Sequence, residues 1–219
     1  MNLAAKPSEW ESSVLGVRVG LLVPECSPSY DDIRDANNQV FDVVFVSYQK
    51  WFYPAYGPIG LDHLYDMEAK VSGERLKTSC VSAISFPSSS HVAIAKEALQ
   101  DSRFLRDRRL TAKSGDRYVR WLTEHRVYVP VEAPEGAFLV ATDDPDGARR
   151  ISLIAVAGTY RGQGIGARLV AGVFAAEPTK TVWRVKVSAG NHRAIRFYET
   201  LGFRVKSVST VFHVWMNND

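Results

Sequence analysis

Strand-like and helix-like stretches of apolar and polar positions follow one another along the whole chain. Val14–Val23 (VLGVRVGLLV) is β-branched and apolar and ends at Pro24, which predicts a strand. Tyr30–Gln39 reads as a short helix and Phe41–Ser47 (FDVVFVS) as a buried strand. Tyr48–Leu61 is dense in aromatic residues, Pro and Gly and predicts a loop; Leu61–Val71 predicts a helix closed by Ser72-Gly73. A second series begins near Lys77. Its expected elements are a strand over Thr78–Phe86, a helix over Ser88–Leu99 capped by Ser88, Ser89 or Ser90, and a helix over Ser114–Glu124. Strands at Val127–Val131 and Ala137–Ala141 flank the turn Pro134-Glu135-Gly136. After the turn cluster Asp143–Gly147 come strand Ile151–Val156, helix Gly164–Ala176, strand Val182–Ser188, helix Asn191–Leu201 and strand Ser209–Met216. This order predicts an α/β or α+β sheet protein. A boundary near Gly73–Lys77 would separate a smaller α/β domain, residues 1–76, from residues 77–219.

Composition adds bounds. A chain of 219 residues with 46% hydrophobic and 11% aromatic content can bury a core and is not disordered. Lys plus Arg number 27 against 24 Asp plus Glu, a net charge of +3, too mild to imply nucleic acid. Cys26 and Cys80 stand in no metal or redox spacing, so reduced thiols and no metal site are expected. MNLAAKPSEW has no apolar signal core, and apolar runs such as Val40–Val46, interrupted by Asp42, are too short to cross a bilayer. The expectation is a soluble, cytoplasmic protein.

The most informative segment is Ile151–Phe174 (ISLIAVAGTYRGQGIGARLVAGVF), in which a strand runs into Arg161-Gly162-Gln163-Gly164-Ile165-Gly166 and then an apolar-periodic helix. Glycines let backbone approach a ligand and adopt positive φ. The first N–H groups of the helix face an anion with the helix dipole behind them. Arg161 adds a planar fork of donors. The expectation is a diphosphate seated on residues 161–167. A P-loop would need Gly-Lys-Ser/Thr, but Ala167 follows Gly166. The dinucleotide fingerprint fails at Arg168.

A second segment, strand VWRVKVSA followed by NHRAIRFYETLGF, places Asn191 at a helix start and Gly202 just past its end. Asn191, Ala194, Ile195 and Tyr198 share one helical face; Phe197 and Leu201 lie on an adjoining one.

The loop spacing R-x-x-G-x-G after a strand ending in Ala-Val, and N-x-x-A-x-x-x-Y-x-x-x-G-F downstream, resemble the two motifs of the GCN5-related N-acetyltransferase (GNAT) superfamily. That resemblance implies a central mixed, mostly antiparallel sheet with a splayed strand pair, flanked by helices, and acetyl-CoA as acyl donor without a metal. It implies a donor site formed by Ile154, Ala155, Val156, Arg161, Gly162, Gln163, Gly164, Ile165, Gly166, Ala167 and Asn191. A backbone N–H near Val156 would polarise the thioester carbonyl, and Tyr198 would be the catalytic general acid beside the sulfur. No base is legible, because His63, His91, His125, His192 and His213 are scattered.

A narrower resemblance concerns the acceptor. Trp10-Glu11-Ser12-Ser13-Val14-Leu15-Gly16-Val17, Ser102-Arg103-Phe104 followed by Tyr118 and Trp121, Ala148-Arg149, and Gly190-Asn191 resemble stretches of the TDP-fucosamine acetyltransferase family. Val14-Leu15 stands where that family has Phe-Phe, and the glycine loop is longer. The resemblance implies a nucleotide-linked 4-amino-4,6-dideoxy sugar as acceptor and a homodimer, to which an exposed strand near Val208–Val214 would contribute. Arg103, Tyr118 and Trp10 are the substrate-side candidates. The run Arg103–Arg109 (RFLRDRR) reads as a solvated face or as phosphate-binding cations. Tyr48, Trp51, Tyr53 and Tyr56 read as core or as a stacking platform. Two other readings stay open: the same fold acting on a protein N-terminus or another small amine, and a non-catalytic acyl-CoA-binding module. The arginines match no nucleic-acid motif.

Overall fold

A computed structural model describes residues 3–25, 28–48, 62–71, 80–85, 87–100, 102–110, 119 and 124–217. Its strands are β1 (Lys6–Pro7), β2 (Val19–Leu22), β3 (Val43–Tyr48), β4 (Asp62–Lys70), β5 (Val81–Ile84), β6 (Val127–Pro130), β7 (Ala137–Asp143), β8 (Arg149–Val156), β9 (Val182–Ser188) and β10 (Arg204–Trp215). The helices are α1 (Glu9–Leu15), α2 (Tyr30–Asn37), α3 (Ser89–Leu99), α4 (Arg103–Arg106), α5 (Ile165–Ala176) and α6 (His192–Thr200). The strands form one sheet in the order β1-β2-β3-β10-β4-β9-β8-β7-β6-β5. Two pairs, β2/β3 and β8/β9, are parallel and the others antiparallel. This is the mixed, mostly antiparallel sheet flanked by helices that the motifs imply.

Helices cover both faces. α5 and α6 pack on Met67, Leu139, Ile151, Trp183, Val185 and Val187. α3 packs on the opposite face, against Val127, Val129, Phe138, Val140 and Ala155. Toward β2 and β3, Val14, Leu15, Phe104 and Leu110 cover Val43, Phe45 and Trp215, while Ile33 of α2 packs among Val44, Val46 and Phe212 from the other side. Burying each such aliphatic or aromatic side chain contributes roughly 1.5–3 kcal/mol.

Three sequence expectations are corrected. Leu61–Val71 is not a helix: Asp62–Lys70 is a strand paired with β9 on one edge and β10 on the other. Leu, Met, Glu, Ala and Lys favour helix locally, but pairing on both edges outweighs a preference of a few tenths of a kcal/mol per residue. Val14–Val23 is not one strand. Ser8 caps α1, Glu9 and Glu11 lie in its first turn, and Gly16 ends it in the left-handed region at φ 67°. Only Val19–Leu22 extends. Finally, Val208–Val214 is no exposed strand: β10 starts at Arg204 and is sandwiched between β3 and β4. The boundary expected at Gly73–Lys77 falls outside the described residues, as do most of the helix expected at Ser114–Glu124 and the aromatics Trp51, Tyr53 and Tyr56. Strands from both sides of that boundary alternate in the middle of the sheet.

Candidate functional site

β8 and β9 pair only over Arg149↔Trp183, Arg150↔Arg184 and Ile151↔Val185. Just beyond, the register of β8 against β7 slips, with Ala141 opposite Ile151 but Val140 opposite Leu153, so Ser152 is an inserted residue. A bulge bends the strand that carries it. Past it, β8 follows β7 as far as Val156 while β9 follows β4 as far as Ser188, and the two strands open into a V. Ala157 N–H donates to the Gly136 carbonyl at 2.9 Å. By antiparallel alternation, Leu153 and Ala155 then turn their hydrogen-bonding groups to β7, and Ile154 and Val156 turn theirs to the opening.

The chain leaves β8 through a 3-10 turn at Gly158–Tyr160 and an exposed loop. Gly162 (φ 79°) and Gly164 (φ 75°) are both left-handed, a conformation strained for any other residue type here. α5 starts without a side-chain cap. Its first intrahelical donor is Arg168 N–H, to the Gly164 carbonyl at 3.1 Å, so the N–H groups of Ile165, Gly166 and Ala167 precede the ladder and are available to an anion. A Cβ on Gly166 would stand 3.4 Å from the Phe197 ring and 3.6 Å from Val156 Cγ2, so the helix start lies tight against the strand end.

Arg161 is exposed but tied down at two points. Its Nε donates to the Val156 carbonyl at 2.9 Å and its Nη2 to Glu97 of α3 at 2.6 Å. Gln163 Nε2 donates to the Thr159 carbonyl at 2.9 Å. Sequence reasoning missed Arg168, which donates to the Gln163 carbonyl at 3.0 Å and pairs with Glu132 at 2.6 Å. A second guanidinium thus lies at the helix start; its only sequence signal is a basic residue in the first turn.

Asn191 caps α6, its Oδ1 accepting from Ala194 N–H at 3.0 Å, which leaves the amide NH2 facing out. Tyr198 is buried on the α5/α6 side of the sheet, in T-shaped contact with Phe197 at 5.1 Å and Phe203 at 5.3 Å. Burial alone pushes its hydroxyl pKa up.

On the α3/α4 side of the V a groove is lined by Asp62, Leu64, Arg103, Arg106, Lys186, Ser188 and Asn191. Arg103 lies over the Phe104 ring at 4.2 Å. Burial raises the pKa of Glu11, opposed first by its backbone hydrogen bond and then by the charges of Arg103 and Lys186. Trp10 packs against the cluster of Val14, Leu15 and Phe104 and is not among the described groove residues. Tyr118 lies outside the described residues. The run Arg103–Arg109 is divided in its duties. Asp107 is fully buried and accepts from His213 Nδ1 at 2.8 Å and Trp215 Nε1 at 3.1 Å. Arg106 reaches Asp62 at 3.4 Å. Asp62, Lys186 and Ser188 escaped the sequence reading because they meet only through the pairing of β4 with β9.

A V between two parallel strands, an uncapped helix behind a left-handed glycine loop, and a polar groove on the far side define the fold of the GCN5-related N-acetyltransferases. Residues 120–205 match the family model of the acetyltransferase (GNAT) domain. No curated protein matches the chain. Among solved structures, a conserved protein of unknown function from Staphylococcus epidermidis ATCC 12228 aligns with a TM-score of 0.60 at 10% identity, over 98% of this chain and 96% of that one. A GNAT-family protein from Novosphingobium aromaticivorans DSM 12444 aligns at 0.54 and 20% identity, over 78% and 73%. The GCN5-related N-acetyltransferase from Kribbella flavida aligns at 0.50 and 14%, over 89% and 80%. At these identities the likeness is one of fold. The match of residues 120–205 to that domain model supports an acetyltransferase. No helix among the described residues is long and apolar enough to cross a membrane.

Proposed function

We propose that the chain transfers acetyl from acetyl-CoA to the amine of an anionic small molecule, a nucleotide-linked 4-amino-4,6-dideoxy sugar being the acceptor its sequence resemblance implies. The donor half fits the residues present. The free N–H groups of Ile165, Gly166 and Ala167 and the guanidinium of Arg161 suit a diphosphate, and the open edge at Ile154 and Val156 suits the amide arm of CoA. The acetyl donor supplies an activated thioester carbonyl. The Val156 N–H polarises it, and Tyr198 hydrogen-bonds the departing sulfur from the α5/α6 side. Asn191 lines the groove at the same mouth, where its amide NH2 would donate to that arm.

The acceptor then enters from the opposite face. The observation that favours an anionic amine is the set of three cations in the groove lining, Arg103, Arg106 and Lys186, of which Arg106 also meets Asp62 and Lys186 also meets Asp66. Arg103 is the residue assigned to acceptor phosphate; Tyr118 and Trp10 are acceptor candidates by resemblance alone. The homodimer suggested by resemblance would need a surface other than β10, which is paired on both edges.

Thiol release from acetyl-CoA over a panel of amines tests the reading. The panel holds TDP- and UDP-linked 4-amino-4,6-dideoxy sugars, their 3-amino analogues, an aminoglycoside and a short peptide. Release with a nucleotide-linked amino sugar alone supports the assignment. Release only with the aminoglycoside or peptide keeps acetyl transfer and removes the sugar. CoA binding without release from any amine favours a binding module.

A further inference from the structure

Asp62 is a strand residue at the mouth of the V, yet it is only 8% exposed and carries a carboxylate into the groove. Ser188 Oγ–H donates to its Oδ1 at 2.7 Å and Arg106 Nη2 to its Oδ2 at 3.4 Å. A carboxylate offers about four acceptor sites, so two partners leave capacity for another donor. The register places it. Leu64 pairs with Ser188, so Asp62 lies two residues further along β4, well past Ile151↔Val185, the last pair that joins β8 to β9. The carboxylate therefore stands on the β9 side of the V, beyond the point where β8 and β9 part. Arg103 and Lys186 lie beyond it in the same groove.

We propose that Asp62 is the amine-receiving group of the acceptor site: it binds the incoming ammonium and takes its proton, while Arg103, Arg106 and Lys186 hold an anionic group on the same molecule. The substrate class is a primary amine that carries a phosphate or carboxylate. This deepens the acetyl-transfer reading and rests on it for the chemical step. In that step the ammonium gives one proton to Asp62, which releases it to water. The neutral nitrogen forms the C–N bond as the C–S bond breaks. A second proton leaves the nitrogen and one is taken up by the sulfur. Ammonium and acetyl-CoA thus become amide, CoA thiol and one solvent proton. A sequence-distant strand supplies the group: β4 enters the sheet between β9 and β10 and brings Asp62 beside Ser188.

Calorimetric binding of two probes tests it without turnover. Glucosamine 1-phosphate carries both an amine and a phosphate; glucose 1-phosphate lacks the amine. The wild-type chain is expected to prefer the amine probe by about tenfold, the scale of one charge-assisted hydrogen bond. Asp62→Asn, isosteric and still able to accept from Ser188, is expected to bind the two probes equally. Unchanged CoA affinity would report that the variant is folded. Lys186→Gln is expected to weaken both probes and keep the ratio. With the preferred panel amine, Asp62→Asn should lower kcat/KM at least tenfold. Equal binding of the probes by the wild type, or a preference that survives in Asp62→Asn, would overturn the assignment. Absence of thiol release from every amine, with the Asp62-dependent preference intact, would instead remove the acetyl-transfer reading and leave an amine-binding site.

Discussion

Replacing Tyr198 by Phe removes one oxygen from a ring that the core already holds. Phe197 and Phe203 contact that ring edge-on at 5.1 and 5.3 Å, and burial pushes the hydroxyl pKa up. That burial keeps the phenol above its ordinary pKa of about 10, whereas a simple thiol ionises near about 8.5. Full proton transfer to the departing thiolate would therefore run uphill by at least about 1.5 units, or about 2 kcal/mol. On the proposed reading, Tyr198 therefore acts as a neutral hydroxyl that donates a hydrogen bond as negative charge develops on sulfur, and not as an acid that ionises. A hydrogen bond to a charged group contributes about 1.5–3 kcal/mol. Lost only in the transition state, that becomes a fall of about 10- to 150-fold in kcat. Acetyl-CoA affinity should stay within about twofold, and the urea midpoint should barely move, because burying an aromatic ring without its hydroxyl leaves no partner unsatisfied. Thiol release at saturating acetyl-CoA, calorimetry and urea unfolding give the three readings. A folded Phe variant with kcat within about twofold of wild type would refute the reasoning and return Tyr198 to the core.

Arg161→Gln should weaken CoA about tenfold yet leave S-acetylpantetheine, which lacks the diphosphate, unchanged; equal losses by calorimetry would place Arg161 elsewhere than on phosphate. Gly172 of α5 has no room for a side chain, since a Cβ would stand 2.5 Å from Val81 Cγ1 and 3.5 Å from the Cys80 backbone nitrogen. Gly172→Val should lose about 1–3 kcal/mol in urea unfolding, with β5 pushed from the helix. Burial drives the His213 pKa down, opposed by its hydrogen bond to Asp107. The folded chain keeps His213 neutral where the unfolded chain takes a proton, so the stability it contributes is present above about pH 6.5 and falls as pH drops below that value. The urea midpoint should be lower at pH 5.5 than at pH 7.5; equal midpoints would mean that His213 is charged in the fold.

The segment from β8 to α6 was legible because its signals are local. Left-handed glycines at 162 and 164, the cap at Asn191 and the stop at Gly202 are set by neighbours a few residues away. β4 was not legible. Its residues favour helix, and only two long-range pairings make it a strand. The same holds for the groove: Asp62, Arg106 and Ser188 are far apart in sequence and meet across β4 and β9, and no spacing announces them. In α1, β-branched residues around Gly16 imitate a strand, while the decisive information was Ser8 upstream and the glycine itself. The tie between Arg161 and Glu97 was hidden for a related reason, since it joins the glycine loop to a helix far off in the sequence.

The interleaving of β3, β10, β4 and β9 has a consequence for how the chain is made. During synthesis β3 and β4 leave the ribosome early, but the strand that belongs between them is β10. Until β10 emerges, each presents a bare edge of unpaired N–H and C=O groups along Val43–Tyr48 and Asp62–Lys70. Vectorial folding can therefore build pieces but not the finished sheet, and the closing event joins residues at opposite ends of the described chain. Long-range closure of this kind is slow, and exposed edges invite pairing with other nascent chains in the meantime. A nascent chain stalled short of β10 should thus be the form most dependent on chaperones and most prone to aggregate.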